Sequence, residues 1–210
     1  MESLQPLYDS VVNGDAKTSK AAAERALAAG IAPLCLVQEH MVPAMAEVGR
    51  RFEANEYFVP ELLISARAMK AALELIRPLL VASGVEPAGR VALGTVKGDL
   101  HDIGKNLVGA MLEGGGFDVI DLGVNVEPEK FIAVVREKQV NIVAISALLT
   151  TTMPAMRTTI EALRQAGVRE QVKVLVGGAP ISQKYADEIG ADGYSENAAG
   201  AVAMARKVCA

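Results

Sequence analysis

The sequence predicts an α/β protein in two parts. A helical bundle over residues 1–88 precedes a Rossmann-like (flavodoxin-like) parallel α/β domain over residues 89–210. Three observations predict this. Residues 1–88 repeat apolar side chains at helical spacing and carry no strand pattern. From Val91 onward, short apolar runs alternate with helical segments. Between the two lies Ala82-Ser83-Gly84-Val85-Glu86-Pro87-Ala88-Gly89, a linker of small residues, Gly and Pro.

In the first part, Asp15 caps an Ala-rich helix over 16–29, which Gly30 stops. Pro33 fits the first turn of the next helix, and Pro43 marks a further start or a kink, because proline removes a helical donor. Apolar residues from Met41 to Phe52 keep helical spacing, and Glu53-Ala54-Asn55-Glu56 breaks it. Pro60 then opens a long helix expected to end near Pro78. In the second part, strands are expected at 91–96, 117–122, 142–146, 172–176 and 192–194. Helices are expected at 104–113, 128–138, 153–165, 182–189 and 198–208. Strands alternating with helices imply a parallel sheet covered on both faces, whose ligands sit at the carboxyl ends of the strands.

Composition excludes several classes. Hydrophobic residues make up 51% and charged residues 22% of 210 residues, enough for a buried core. Lys+Arg is 21 against Asp+Glu at 25, a formal charge of -4, which argues against a nucleic-acid partner. No apolar run reaches the ~20 residues of a membrane span, and Met1-Glu2-Ser3-Leu4-Gln5-Pro6 has no secretory signal pattern. Cys35 and Cys209 match neither a disulfide framework nor a zinc spacing, so a cytoplasmic protein is expected.

The loop after the first strand, Gly94-Thr95-Val96-Lys97-Gly98-Asp99-Leu100-His101-Asp102-Ile103-Gly104-Lys105-Asn106, carries the chemistry. It is not a phosphate-binding P-loop: counted from Gly98, the second glycine comes one residue late and Asn106 replaces the hydroxyl. It lacks the Gly-x-Gly-x-x-Gly of dinucleotide sites, and Gly114-Gly115-Gly116 reads as a helix stop. A third reading makes His101 a metal ligand, with Asp99 accepting from its other ring nitrogen. One protein ligand is too few for zinc, so the metal must arrive held in a cofactor.

Asp99-Leu100-His101-Asp102-Ile103-Gly104 resembles the Asp-x-His-x-x-Gly signature of cobalamin-binding domains. Ser146-Ala147-Leu148 and Gly177-Gly178 are similar to that family's Ser-x-Leu and Gly-Gly turns after the third and fourth strands. Val48 to Pro60 resembles the segment that caps cobalt in methyl-carrying corrinoid proteins. The likeness therefore spans the cap plus the cobalamin-binding domain of methionine synthase.

The resemblance implies vitamin B12 bound base-off/His-on, with His101 as the cobalt ligand in place of the cofactor's own dimethylbenzimidazole. Gly98, Asp99, Leu100, Asp102 and Gly104 then belong to the cofactor loop. Ser146, Leu148, Thr150, Gly177 and Gly178 line a slot for the displaced nucleotide tail, with Ala198 at its border. Phe52 and Val59 shield the methyl face. Read on their own, Ser146 and Thr150 also fit helix caps, Gly177-Gly178 an ordinary turn, and Phe52 and Val59 plain core. Methionine synthase has a serine bonded to the motif aspartate where this chain has Thr152. Its hydroxyl keeps the donor but adds a methyl. His40 matches no ligand position and reads as surface or helix packing.

The implied cycle runs between cob(I)alamin and methylcob(III)alamin. Asp99 stabilises the imidazolium when His101 leaves cobalt, and Thr152 closes the relay. The chain has no room for a substrate barrel, so it is expected to need partners: a substrate-specific methyltransferase, a second one serving tetrahydrofolate or a thiol, and a reductive activator. The alternative is a cobalamin-dependent light sensor. Such proteins usually add a basic DNA-binding module ahead of the cap, whereas this charge is acidic and the bundle begins near Met1. The chain also has no tryptophan to cover an adenosyl group. A small subunit of an adenosylcobalamin mutase would lack residues 1–88.

Overall fold

The computed structural model describes residues 4–84 and 86–209. Met1-Glu2-Ser3 of the opening, Val85 of the linker and Ala210 lie outside them. The chain forms two compact units, Met1–Pro87 with Glu113–Gly116, and Ala88–Leu112 with Phe117–Ala210.

The first unit is helical. Helix α1 spans Gln5–Val12 and α2 Ala16–Ala28. Asp15 caps α2 as expected: its carboxylate accepts from the Thr18 N–H at 3.0 Å and the Thr18 hydroxyl at 2.6 Å. Gly30 follows at φ +80°, the left-handed stop. Helix α3, Pro33–Cys35, begins on its proline and runs into a π-helical stretch, Leu36–Met41, then α4, Val42–Glu53. Helix α5, Val59–Ala82, is tied at its start by Glu61, whose carboxylate accepts from the Phe58 N–H at 2.9 Å. It continues through Pro78, contrary to the expected stop. Pro78 is exposed, so the Glu74 carbonyl that loses its helical donor can turn to water and the helix survives. Leu7, Val11, Leu36, Met41, Leu62, Met69 and Ile76 form the buried apolar set of these helices. Buried Ser65 donates to the Val12 carbonyl at 3.0 Å.

In the second unit five parallel strands stand in the order β2-β1-β3-β4-β5. They are β1 Arg90–Val96, β2 Asp118–Val126, β3 Ile142–Ser146, β4 Lys173–Gly177 and β5 Gly193–Tyr194. The intervening helices are α6 Ile103–Gly114, α7 Pro128–Lys138, α8 Met153–Gln165, α9 Gln183–Ile189 and α10 Ala198–Cys209. Strand alternation sorts the core. Ala92, Val96, Val143, Ile145, Val174 and Val176 pack with Phe131, Met156, Ile160 and Leu163 of α7 and α8. Their neighbours Val91, Leu93, Ile142, Ala144 and Leu175 pack with Leu112 and Ala205 of α6 and α10. Gly94 permits the first packing, because a Cβ there would stand 2.8 Å from the Phe131 ring.

Strand β2 runs four residues past the expected Leu122. Gly123 and Asn125, at φ +86° and +50°, look like turn residues in sequence. Here they accommodate the register shifts by which Gly94 and Val96 pair with Gly123 and Val126. The switch point of this order lies between β1 and β3, where connections leave in opposite directions and open a crevice at the carboxyl ends.

Candidate functional site

The loop from Lys97 to Asp102 leaves β1 beside that crevice. Gly98 takes φ +82°, a conformation that favours glycine, and its N–H donates to Asn125 Oδ1 at 2.7 Å. The Asn125 N–H in turn donates to the Asp99 carbonyl at 2.9 Å, so the end of β2 holds the loop from one side. Thr95, buried on β1, donates from its hydroxyl to the His101 carbonyl at 2.9 Å.

Asp99 has no exposed side-chain surface. Its Oδ1 accepts from the His101 N–H at 3.1 Å and lies 2.8 Å from His101 Nδ1. Its Oδ2 accepts from the Leu148 N–H at 2.8 Å, the Leu149 N–H at 3.4 Å and the Thr152 hydroxyl at 2.7 Å. Burial by itself would raise this carboxyl's pKa. The hydrogen bonds from Thr152, Leu148 and His101 outweigh it and hold the group well below the ordinary carboxylate range. A fixed anion at Nδ1 selects the tautomer protonated there, which leaves Nε2 a free lone pair. The His101 side chain is 50% exposed, and Nε2 has no hydrogen-bond partner among the described residues.

The loop that carries this lone pair exposes apolar side chains to solvent. Leu100 and Ile103 are 71% and 73% exposed beside His101. Leu148 and Leu149, whose N–H groups bind Asp99, are exposed as well. A nitrogen ligand framed by uncovered leucine and isoleucine fits the underside of a large, flat, metal-bearing macrocycle. It does not fit a hydrated ion, which wants several protein ligands. A Cβ at Gly104 would meet only open space, while Asp102 is exposed and accepts from the Asn106 amide at 3.2 Å.

The remaining candidates sit at the next strand ends. Ser146 closes β3 half-buried, and Thr150 is exposed; neither hydroxyl bonds a described residue, and α8 has no side-chain cap. Gly178, at φ +130°, presses against the preceding turn: a Cβ there would stand 1.9 Å from the Ala147 carbonyl oxygen. A Cβ at Gly177 would stand 3.3 Å from the Ser195 carbonyl oxygen, a tight contact. Glycine at both positions thus lets the backbones at the ends of β3, β4 and β5 pack closely against one another. Ala198 is buried at the start of α10. In the helical unit Phe52 is half-buried and Val59 is 38% exposed, so Val59 is not core; its neighbour Phe58 is 60% exposed.

Sequence reasoning missed Lys105. Its side chain is 2% exposed, and its Nζ donates to both Asp121 carboxylate oxygens at 2.6 Å and to Asn106 Oδ1 at 2.7 Å. Burial pushes the Asp121 pKa up, but the bonds from Lys105 and the Gly123 N–H prevail and lower it. The pair clamps the first turn of α6 to β2 and thereby fixes the far end of the His101 loop. A lysine four residues after the histidine, next to the apolar stretch of α6, was the available signal.

Comparison with known proteins places the chain in a family. The profile of a B12 binding domain family matches residues 89–203, and a second B12 binding domain profile matches residues 3–77. A corrinoid protein of Desulfitobacterium hafniense is 40% identical over 211 residues, covering 99% of this chain and 98% of the relative. Trimethylamine corrinoid protein 2 of Methanosarcina mazei is 44% identical, covering 98% and 95%. Among solved structures, a cobalamin-binding protein of Desulfitobacterium hafniense superposes with a TM-score of 0.81 at 31% identity, covering 99% of each chain. A chain of the methanol:cobalamin methyltransferase complex MtaBC of Methanosarcina barkeri gives 0.86 at 29% identity, covering 98% and 79%.

Proposed function

The chain belongs to the B12-binding corrinoid proteins of methyltransferase systems, and from that premise we propose that it carries a methyl group from a methylated amine to a second acceptor. His101 Nε2 would hold the corrinoid's metal in place of the cofactor's own base. The observation that carries it is the buried Asp99 carboxylate, which holds Nδ1 and leaves Nε2 free on an apolar, open loop.

When bound, the corrinoid's cobalt supplies the centre that takes up and gives away the methyl group. The chain's residues do the rest. Asp99 orients the His101 ring and, as a fixed anion, holds the ring proton at Nδ1. Thr152 keeps Asp99 ionised by donating to Oδ2, so the proton stays on the ring and does not pass to the carboxylate. Gly98, Leu100, Asp102 and Gly104 form the loop against the macrocycle, with Leu148 supplying further apolar contact. Ser146, Thr150, Gly177, Gly178 and Ala198 accommodate the displaced nucleotide tail: two uncommitted hydroxyls beside side-chain-free backbone suit a polar, ribose-phosphate-like chain. The likeness to methyl-carrying corrinoid proteins gives Phe52 and Val59 the role of excluding water from the methyl group.

Partners complete the cycle. A substrate-specific methyltransferase loads the protein, and the trimethylamine and dimethylamine corrinoid proteins among its relatives favour a methylamine as donor. A second methyltransferase unloads it to a thiol or folate, and a reductive activator restores the reduced state. The test is methyl transfer with purified parts. Reduced, corrinoid-loaded protein mixed with a trimethylamine methyltransferase and trimethylamine is expected to release one dimethylamine per bound corrinoid, and the His101→Ala variant far less. Loaded protein that releases none would contradict the donor assignment. Equal release from His101→Ala would contradict the role of His101.

A further inference from the structure

The helical unit brings together three metal-ligating side chains that the corrinoid reading does not use. The ligating atoms of Cys35, Glu39 and His40 all lie within 4.8 Å of one another. We propose that these residues form a second metal site, in which one zinc-class divalent ion is held by the Cys35 thiolate, a Glu39 carboxylate oxygen and the His40 imidazole.

Local backbone geometry explains why they meet. In a regular α-helix a residue five positions on points about 140° away around the axis, so Cys35 and His40 would diverge. Here Leu36–Met41 is π-helical, and the Val42 N–H reaches back five residues to the Val37 carbonyl. The wider turn brings positions four and five beyond Cys35 under one face. Pro43 is one cause: with no N–H it cannot bond the Glu39 carbonyl, and the regular ladder fails there. A π-helical turn is a less common backbone than the α-helix it interrupts, and such turns concentrate where side chains have a task.

The donor set selects the ion. Sulfur, nitrogen and a carboxylate oxygen together suit zinc and its neighbours, whereas magnesium and calcium take oxygen ligands alone. Tetrahedral zinc spaces its ligand atoms about 3.3–3.8 Å apart, so rotamer adjustments of about 1 Å close the present arrangement. Cys35 and His40 are half-buried and Glu39 is exposed. The Cys35 thiol is hydrogen-bonded to Glu39, and no hydrogen bond involves the His40 ring among the described residues. Binding is balanced: the Cys35 S–H proton leaves to solvent, the sulfur–metal bond forms, and thiolate and carboxylate neutralise the divalent charge. Three protein ligands leave a fourth position for water. An ion there would tie α3 to the π turn and set its geometry.

The full-length chain supplies its own control, because Cys209 is exposed at the end of α10. Alkylation of both thiols by N-ethylmaleimide, mapped by mass spectrometry, is followed as Zn²⁺ is raised through the micromolar range. Zinc is expected to slow modification of Cys35 by about tenfold or more and leave Cys209 unchanged. His40→Ala and the exposed Glu39→Gln are each expected to restore the Cys35 rate, and elemental analysis to find one tightly held zinc in the wild-type chain that Cys35→Ser lacks. Equal slowing at both cysteines, no slowing at Cys35, or protection undiminished in both Glu39→Gln and His40→Ala would overturn the proposal.

Discussion

Replacing Thr152 with valine removes one hydroxyl and keeps the shape. In the native loop that hydroxyl stands 2.7 Å from Asp99 Oδ2 and 2.9 Å from the Leu149 carbonyl. It has one proton, and the ionised carboxylate at the shorter distance takes it. Asp99 has no exposed side-chain surface, so water cannot replace the lost donor. A hydrogen bond to a charged group contributes about 1.5–3 kcal/mol, and valine leaves no cavity to add to that. With a urea m-value of about 2 kcal/mol/M, the unfolding midpoint of the α/β unit should fall by about 0.7–1.5 M. Thr152→Ser keeps the hydroxyl and loses a methyl, about 0.8 kcal/mol, or about 0.4 M. Urea titrations followed by circular dichroism compare the three proteins. A valine variant no less stable than the serine variant would refute the claim that this hydroxyl serves the buried carboxylate.

The other predictions concern the frame of the site. Gly178→Ala drives a Cβ into the Ala147 carbonyl and should lower stability by about 2 kcal/mol or more, with loss of corrinoid retention; a stable variant with normal retention would show that the turn yields. Lys105→Met and Asp121→Ala break the same pair unequally. Asp121 is 50% exposed and Lys105 only 2%, so stranding the lysine should cost about 3 kcal/mol and stranding the aspartate about 1, and the reverse order in urea would count against the clamp. In α4, hydrogen bonds from Arg50 and then Arg51 hold the Glu47 pKa down to about 2. A depressed carboxylate stabilises the fold above its unfolded value of about 4.3 and loses that contribution as pH falls towards 2. Glu47→Gln should therefore lower stability by about 0.5–1 kcal/mol at pH 7, and the gap should close in acid; a gap that stays constant with pH would exclude the ion pairs as its source.

Much of this architecture is legible in the residues. Ile142–Ser146 and Met153–Gln165 fall where their periodicity places them, because an unbroken apolar run and a clean helical stripe leave one solution. The Asp99–His101 pair is legible too, through a motif whose spacing brings carboxylate and imidazole to one loop, and Thr152 through the resemblance to methionine synthase. What escaped has identifiable causes. Gly123 and Asn125 carry the residue types of a turn while serving a bulge, so β2 was read too short. Pro78 was read as a stop, although exposed proline late in a helix can be tolerated. Lys105 and Asp121 are far apart in sequence, and only the pairing of β1 with β2 makes them neighbours. His40 joins Cys35 and Glu39 on one face only because the turn is π-helical, which α-helical spacing does not foresee.

The central claim is that His101 binds the corrinoid metal through Nε2. The most direct measurement is electron paramagnetic resonance of the cobalt(II) protein reconstituted with cobalamin carrying nitrogen-15 in its dimethylbenzimidazole. A protein imidazole as lower ligand gives the three-line splitting of nitrogen-14, and His101→Ala abolishes it. The two-line splitting of nitrogen-15, or a nitrogen-14 pattern that survives in His101→Ala, would contradict the account.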